Sequence, residues 1–426
     1  MKRKLLKQMA NQWRSNVWLV VELLIVSVVM WYIIDFLTIM IKPMTEPNGF
    51  DIEHCYKISF NRAGEFPEGV EETTSVQERR QLLDRLRHYP GVEAVALSIQ
   101  GVEPYHGNFA SCYVVDVTAD SLYYGTRRPS TRYGYANADF LKVFRIGGMR
   151  GESPEEVAEQ FGSDGANILV ARNFVNSVDT VAQSGPVDPI SLIGHKMLVN
   201  GQNYKLVNVV NDVKREDTTP LDYYSFVLMP LIESVDQHIE YFDDLSIRVR
   251  PEADNGFIER FRADISKQFH IGLTYVVDIR SFDDVRAERI SEDSKVKLKL
   301  YVVLAFLLVN VFLGLLGTFW YRTRQRVSEM AVRMAAGATR ASIFRRLMGE
   351  GIILLVIATV LAFGIDSLIA YLEFNLRMDG PHFTVGMMAW TVGITFLACL
   401  AMITLGIYFP ARAAMKIQPA EALHDE

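Results

Sequence analysis

The chain has 426 residues, of which 50% are hydrophobic and 22% are charged, and its mean hydropathy is +0.11. This composition excludes a disordered or low-complexity chain, and the formal charge of −6 argues against a general nucleic-acid-binding protein. The hydrophobic residues are gathered into four long blocks, which indicates a membrane protein.

The first block covers residues 17–41 and follows a basic amino terminus, residues 1–16. It is too long for the core of a signal peptide and lacks a suitable cleavage site, so we interpret it as a membrane anchor. The other blocks cover residues 300–321, 351–372 and 384–410, and each can span a bilayer core of about 30 Å as a helix. A buried helix of a soluble protein is the alternative for any single block, but four blocks favour four transmembrane helices.

Residues 43–297 lie between the first two blocks and are numerous enough for a domain with its own core. Strands are predicted at residues 55–60, 92–98, 112–117, 168–171, 205–210, 225–229, 245–250 and 273–279, and helices at 75–88 and 256–269. Strand, helix and strand follow one another at 55–98 and again at 245–279. The repetition predicts an external α+β domain with a ferredoxin-like layer and a β-rich insert at residues 137–215. Two unrelated strand-helix-strand pieces are the alternative.

Residues 282–299 contain neither proline nor glycine and continue directly into the second block. This segment predicts a stalk helix that could carry motion between the external domain and the membrane.

Basic residues mark the flanks of the blocks. Residues 1–15 carry five Lys or Arg, residues 322–350 carry seven Arg, and the tail of residues 411–426 has Arg412 and Lys416 beside the membrane. The positive-inside rule places these flanks in the bacterial cytoplasm. We therefore expect a multi-pass protein of the bacterial cytoplasmic (inner) membrane with both termini inside and with residues 43–297, which carry 27 basic and 40 acidic residues, outside.

Polar and small residues inside the blocks are the next candidates for function. Three acidic residues lie there: Glu22, Asp35 and Asp366. A charge at the bilayer centre costs at least about 2.5 kcal/mol, but these residues lie near the ends of their blocks, where they can reach headgroups or water. Glu22 is also placed to face another helix. The second block carries residues that predict close helix packing: Asn310, Gly314 and Gly317.

The loop between the second and third blocks, residues 322–350, carries the most informative pattern. On a helix, Arg326, Glu329 and Arg333 share one face, where Glu329 can pair with either arginine. The apolar stripe consists of Val327, Met330 and Met334. Gly337 is placed to stop this helix with a left-handed cap before a second short helix. The loop is either a surface elbow held by anionic lipid or a rigid lever that presents charges to a cytoplasmic partner.

No catalytic pattern is found in the 426 residues: H-E-x-x-H, paired C-x-x-C, G-x-S-x-G and the G-x-x-x-x-G-K-[ST] phosphate loop do not occur. His54 and Cys55 are adjacent on one predicted strand and face opposite ways, which argues against a metal site. Cys55 and Cys112 either pair in an oxidising compartment or remain two buried thiols. We predict no catalytic, cofactor or metal site, so any ATP hydrolysis belongs to another chain.

The loop resembles the signature of the MacB/FtsX-like permeases of ABC transporters, R-x-x-E-[IM]-[GA]-[IV]-R-x-x-x-G-A. The matching residues are Arg326, Glu329, Met330, Ala331, Val332, Arg333, Gly337 and Ala338. Residues 410–423 are similar to the family's closing P-A-x-x-A…P-x-E-A-L, and residues 137–144 and 199–210 resemble parts of its external domain. Three features depart from the family pattern: Ala336 replaces a usual Leu, the third block lacks a Gly-rich run, and no ATPase domain precedes the first block.

The resemblance implies an FtsX-like permease domain at residues 298–410 and a type VII ABC architecture. In it, two permeases, identical or paralogous, sit on two ATPase subunits that bind ATP and Mg. The implied ATPase-coupling residues are Arg326, Glu329, Met330, Arg333, Gly337, Ala338 and Arg340. The implied function is mechanotransmission that exports or extrudes an amphiphile, peptide or lipoprotein. Membrane lipid is an expected partner, with a periplasmic adaptor or outer-membrane component as an optional one. The alternatives are an FtsX-like regulator of an external cell-wall hydrolase and a ligand sensor without an ATPase.

Overall fold

The structure is a computed structural model of the chain, and it describes residues 13–64, 71–118, 122–124, 130–162, 165–177, 188–219, 221, 224–231, 243–372 and 385–414. The chain forms two compact units. Among the described residues, the helical unit comprises 13–41, 295–372 and 385–414, and the sheet domain comprises those between 42 and 294.

The secondary structure follows the chain in this order. The helices are α1 (Trp13–Ile41), α2 (Glu71–Arg87), α3 (Asp139–Val143), α4 (Pro154–Phe161), α5 (Pro251–Asp254), α6 (Phe257–Gln268), α7 (Phe282–Arg324), α8 (Val327–Ala335), α9 (Arg340–Tyr371) and α10 (Val385–Ala414). The strands are β1 (Cys55–Arg62), β2 (Val92–Ile99), β3 (Ala110–Ser111), β4 (Val114–Asp116), β5 (Leu122–Tyr124), β6 (Ser130–Ala136), β7 (Asn167–Ala171), β8 (Lys196–Val199), β9 (Gln202–Val210), β10 (Tyr224–Pro230), β11 (Asp243–Val249), β12 (His270–Ile271) and β13 (Thr274–Ser281).

The first and last strands of the sheet domain form the ferredoxin-like layer that the sequence predicts. Strands β13, β1, β11 and β2 lie side by side in this order, and each is antiparallel to its neighbour. Helix α2 connects β1 to β2, and helix α6 lies between β11 and β13. The duplicated strand-helix-strand pattern is therefore one interleaved sheet and not two unrelated pieces.

The two faces of this layer carry separate cores, because successive residues of a strand point to opposite sides of the sheet. On one face, Val95 of β2 belongs to a buried cluster with Leu86 of α2 and Phe261 of α6. On the other face, Ala96 belongs to a cluster with Phe140 of α3. Both faces of the layer are thus covered.

The sheet continues past β2 through β6, β10, β7, β9, β8, β4 and β5, and β3 pairs with β6. Strands β6 and β10 are parallel, as are β7 and β9. The insert is wider than the expected residues 137–215, because both β6 and β10 lie outside these bounds and pair with each other. A parallel pair between segments so far apart in the chain leaves no local sequence pattern.

Four helices of the helical unit are long and apolar enough to cross a membrane, at Val17–Thr45, Leu298–Arg324, Ala341–Tyr371 and Val385–Phe409. Helix α7 runs without interruption over 43 residues, so the expected stalk and the second block are one helix. All four helices contribute to a common core, whose members include Leu23, Phe319, Leu355 and Ile403.

Candidate coupling site

The arginine and glutamate pattern of residues 326–333 spans a helix boundary. Helix α7 ends at Arg324 and α8 begins at Val327, so Arg326 is the residue that precedes α8 and not part of its face. Arg333 donates a hydrogen bond to Glu329, one turn earlier on α8. Arg326 donates to Glu350 on α9. The sequence left the partner of Glu329 open between two arginines, and the structure pairs it with Arg333.

Gly337 ends α8 in the left-handed region, with φ +90°. The Gly337 amide donates to Met334 O at 3.0 Å, and the Ala338 amide donates to Arg333 O at 2.9 Å. These two bonds form the Schellman motif, in which a left-handed residue lets the chain cover the last helical carbonyls. The geometry follows from the sequence, because glycine reaches this conformation without a Cβ clash.

Helix α9 begins immediately after this cap. Thr339 is its amino-terminal cap, with a side-chain oxygen that accepts from the Ser342 amide at 3.3 Å. The helix then continues over 32 residues to Tyr371. The expectation of a second short helix is wrong, because no residue between Arg340 and Gly351 interrupts the helix and Gly349 and Gly351 are accommodated inside it. Arg340 is its first residue, and its side chain lies outside the described part of the chain.

Met330 fixes α8 against α9. Its side chain is buried and clusters with Ile343 of α9, and Met334, Ala338 and Leu347 pack around this pair. The apolar stripe of α8 is therefore partly covered by the chain itself. Residues 326–350, which comprise α8, its cap and the beginning of α9, are called the coupling elbow below.

Glu350 closes the elbow and was not singled out by the sequence. Its carboxylate accepts from Arg326, and the Arg346 Nε lies 3.6 Å from its Oε1. Arg326 and Glu350 also line a cleft together with Arg322, Phe319 and other residues. The empty volume of this cleft, including space open to solvent, is about 310 Å³. The Arg326 pairing joins residues 24 positions apart, which local pattern cannot reveal.

The acidic residues of the spans lie against other helices. Thr318 of α7 donates from Oγ1 to Glu22 Oε1 of α1 at 2.6 Å, so Glu22 faces a neighbouring helix. Asp35 and Asp366 are 5% and 2% exposed. The expectation that these two reach headgroups or water is wrong within this unit, because the packing of α1 on α9 encloses them.

The small residues of α7 do not pack within the chain as expected. Asn310 is exposed in the helical unit and donates to Phe306 O of its own helix at 2.7 Å. No described atom lies within 4 Å of a Cβ placed on Gly314 or Gly317. Close packing occurs instead at Gly351 and Gly406, where such a Cβ would lie 3.0 Å from Ile403 Cγ2 and from Phe319 Cβ, respectively.

The sheet domain also contains a buried charged cluster that the sequence did not predict. Lys57 donates to Glu103 and, at 2.8 Å, to Asp244, while Ser246 donates to Glu103. His106 Nε2 lies 3.5 Å from Asp244. Burial, with repulsion from Asp244, raises the pKa of Glu103 to about 7 although Lys57 opposes the change. The cluster connects the central strands β1 and β11 to the loop after β2.

The three cysteines are free and buried. Cys55 and Cys112 belong to separate cores, so the open question of a disulfide is answered by two unpaired thiols. Burial raises the pKa of each of these two thiols to about 12. Among the described residues, no group of three or more His, Cys, Asp or Glu is arranged to hold a metal ion.

Comparison with known proteins identifies the membrane part of the chain. Residues 301–419 match the family described as FtsX-like permease C-terminal. The macrolide export ATP-binding/permease protein MacB of Photorhabdus laumondii is 22% identical over 241 residues, which are 55% of this chain and 36% of that protein. MacB of Rhodopseudomonas palustris is 28% identical over 145 residues, 34% of this chain and 22% of that protein. The matched part of the chain thus spans 36% of the length of the first relative and 22% of the second.

Two solved structures also align with this chain. The extracellular domain of the noncanonic ABC-type transporter YknZ from Gram-positive bacteria is 12% identical, covers 52% of this chain and all of its own, and has a TM-score of 0.30. The periplasmic region of MacB from Actinobacillus actinomycetemcomitans is 9% identical, covers 60% of this chain and 98% of its own, and has a TM-score of 0.28. Residues 301–419 thus match the FtsX-like permease family, and parts of the chain are similar to MacB proteins.

Proposed function

We propose that this chain is the permease subunit of an ABC transporter whose partner ATPase subunits move its sheet domain. The movement exports or extrudes an amphiphile, peptide or lipoprotein from the outer side of the bacterial inner membrane. The sheet domain lies outside, and both termini and the coupling elbow lie in the cytoplasm. This orientation is supported by the basic residues in the flanks of the spans.

The uninterrupted helix α7 is the observation that carries the proposal. Phe282, its first residue, is buried in a core of the sheet domain, and Phe319 is buried in the core of the helical unit. Each end of the helix is thus held within its own unit. A continuous helix of 43 residues is stiff compared with a loop, so rotation or translation of one end is transmitted to the other.

The residues of the coupling elbow divide into two roles. Met330, Gly337 and Ala338 build the elbow, because they form its buried contact and its cap. Glu329 and Arg333 keep about a third of their side chains exposed, at 36% and 32%, and Val332 between them is 54% exposed. This exposed face of α8 is the part of the elbow that we assign to contact with an ATPase subunit.

Nucleotide chemistry is assigned to the partner. The 426 residues contain no phosphate-binding loop, and the MacB relatives are named as combined ATP-binding and permease proteins. We propose a dimer of permeases, identical or paralogous, with two ATPase subunits that hold ATP and Mg²⁺. The macrolide export named for the relatives supports an amphiphilic cargo. An adaptor or outer-membrane component would extend the path but is not needed for the coupling itself.

The variant Glu329→Lys tests this assignment. It replaces the acceptor of Arg333 with a third positive charge near Arg326 and Arg333, so we expect the permease-dependent stimulation of the partner ATPase to fall about fivefold or more. The measurement is ATP hydrolysis by the reconstituted complex in lipid vesicles, with Glu93→Lys, an exposed change on β2, as control.

Unchanged stimulation in Glu329→Lys, or an equal loss in the control, would defeat the coupling role of α8.

A second experiment distinguishes export from hydrolase regulation by loading inner-membrane vesicles with a fluorescent amphiphile. ATP-dependent extrusion supports export, whereas ATP-dependent peptidoglycan cleavage by an added hydrolase supports the regulator.

A further inference from the structure

A charged loop of the sheet domain contacts two segments: the one that follows membrane helix α1 and the one that begins α7. This loop, residues 211–217, is called the junction loop and follows β9 directly. It is anchored to the rest of the sheet domain by Asp212. The Asp212 carboxylate accepts two hydrogen bonds from Arg172, at 3.0 and 2.6 Å, and one from the Asn173 amide at 2.7 Å. Val213 is buried, so the loop has a fixed position on the sheet.

The first of the two segments is residues 43–49, which follow α1. The Lys214 amide donates to Asn48 O at 2.9 Å. The Lys214 Nζ donates to Pro43 O at 2.6 Å and to Glu46 O at 2.8 Å. Lys214 is 2% exposed, and burial lowers its pKa. A buried ammonium needs such acceptors, so the Lys214 side chain holds the segment in one conformation.

Gly49 shows how closely the same segment approaches the loop. Its φ is +76°, and a Cβ at this position would lie 1.9 Å from Asp212 O. A residue with a Cβ at this position would push residues 43–49 away from the junction loop, so the glycine permits the contact.

The second segment is the beginning of α7. Arg286 donates to both carboxylate oxygens of Asp217, at 2.9 and 3.1 Å, and Arg289 donates to Glu216 at 2.5 Å. The two arginines are three residues apart and therefore lie on one face of the helix. The planar Arg286 guanidinium and the planar Asp217 carboxylate are joined by two hydrogen bonds, so their relative orientation is fixed as well as their distance.

Asp217 contacts both segments with one carboxylate. Its Oδ1 accepts from Asn48 Nδ2 at 2.8 Å and from Arg286 at 3.1 Å. Burial alone would raise the pKa of Asp217, but the hydrogen bonds from Asn48 and Arg286 outweigh burial and hold its pKa below the usual range. The carboxylate is therefore ionised at neutral pH and links the chain after α1 to the start of α7.

We propose that the junction loop is a mechanical joint that makes residues 43–49 and the first turns of α7 move together with the sheet, with Asp217 as its central positioning residue. The inference rests on the proposed function, since the joint matters only if motion passes between the two units. Without the joint, α7 and the segment after α1 would be tied to the sheet by fewer contacts and could turn independently. Part of the displacement generated at the elbow would then be lost before it reached the sheet.

Hydrogen exchange of the full chain in lipid nanodiscs tests the joint without any ATPase. In Asp217→Ala we expect the backbone amides of 286–290 and of the non-proline residues in 43–49 to exchange together about tenfold faster, as for loss of about 1.4 kcal/mol of local stability. Arg262→Ala is the matched control, because Arg262 makes an exposed arginine–aspartate pair with Asp278 in the same domain. Faster exchange in only one segment, or the same increase in the control, would overturn the proposal. Asp217→Asn, which keeps the size of the side chain, replaces Asp217→Ala if the latter does not fold.

The coupling ratio of the reconstituted transporter supplies the second measurement. We expect cargo moved per ATP hydrolysed to fall about fivefold in Asp217→Ala and in Arg286→Ala, and the double variant to be no worse than either, because the two residues act as a pair. The control Arg262→Ala should keep the wild-type ratio even where its thermal stability is lower. A wild-type ratio in both single variants would overturn the joint and leave the proposed function standing. Absence of ATP-dependent movement in the wild type would instead defeat the proposed function, and the exchange experiment would still decide on the joint.

Discussion

At the scale of single residues, Gly337 sets the direction of the chain between α8 and α9. Its positive φ is stabilised by the two hydrogen bonds of the Schellman motif, and no described atom lies within 4 Å of a Cβ at this position. The cost of a larger residue is therefore conformational and not steric.

We predict that Gly337→Ala destabilises the coupling elbow by about 1 kcal/mol, because an L-residue is strained in the left-handed region. Gly337→Asn should lose less, since asparagine adopts this conformation more readily than alanine. Thermal unfolding of the purified chain in detergent, together with stimulation of the partner ATPase, measures both. Equal effects of the two substitutions would contradict the cap as the reason for the glycine.

The buried cluster of Glu103, Lys57 and Asp244 predicts a dependence of stability on pH. The pKa of Glu103 is raised from 4.5 to about 7, so the folded protein binds this proton more tightly than the unfolded chain does. Stability from this carboxyl is present at low pH and is lost as the pH rises from about 4.5 through about 7.

We expect Glu103→Gln to flatten the dependence of the melting temperature on pH between about 5 and 8 relative to the wild type. The control His106→Gln removes the imidazole that lies 3.5 Å from Asp244. If the Glu103 variant keeps the wild-type slope and the histidine variant loses it, the assignment to Glu103 is wrong.

Gly337 and Glu103 differ in how far the sequence alone predicts their roles. Gly337 was predicted as a cap because the signal is local: an amphipathic stretch, a glycine and a new helix. Glu103 gave no such signal, because its partner Lys57 is 46 positions away and Lys57 is 187 positions from Asp244.

At the scale of elements, the helices of the membrane part pack through glycines that differ from the expected ones. Gly406 of α10 lies against Phe319 and Leu316 of α7, whereas Gly314 and Gly317 lie on the exposed side of the same helix. Small residues in a span indicate close packing in general, but the sequence does not tell which helix face meets a neighbour in the same chain.

The contrast between these glycines is testable. Gly406→Val should destabilise the helical unit by about 1 to 3 kcal/mol, because added methyl groups overpack the contact with Phe319. Gly314→Val should leave the unfolding of the single chain unchanged. Unfolding of the purified chain followed by circular dichroism distinguishes them, and a larger loss in Gly314→Val would reverse the assignment.

Strands such as β1, β2, β9 and β13 and helices α2 and α6 were predictable, since period-two and period-three-to-four patterns are local, whereas β6, β8 and the short helices α3, α4 and α5 were missed. The pairing was predictable only where the pattern repeats, in the ferredoxin-like layer. The parallel pair of β6 with β10, the Glu350 contact with Arg326 and the junction loop all depend on tertiary contacts. The length of α9 was missed for a different reason: its amphipathic start and its apolar end look like two elements, although no residue between them breaks the helix.

At the scale of the whole molecule, composition separated the four spans from the large sheet domain, and the basic flanks predict the orientation. We predict that a membrane-impermeant maleimide added to intact spheroplasts labels Asn61→Cys and does not label Arg345→Cys. Both side chains are exposed within their own units, and the native cysteines are buried. Permeabilised cells, where both positions should react, are the control. Labelling of Arg345→Cys alone in intact spheroplasts would invert the topology.

Strands β1 and β13, at the beginning and the end of the sheet domain, are neighbours in the sheet. Tyr56, near the beginning of β1, is opposite Ser281, at the end of β13, so the polypeptide comes into the sheet domain and leaves it at adjacent points. An insertion with neighbouring ends disturbs its host little, whatever its size. Under the proposed function, a related chain could therefore carry a different domain at this position as a single cassette, and cargo preference could change while the membrane helices stay the same.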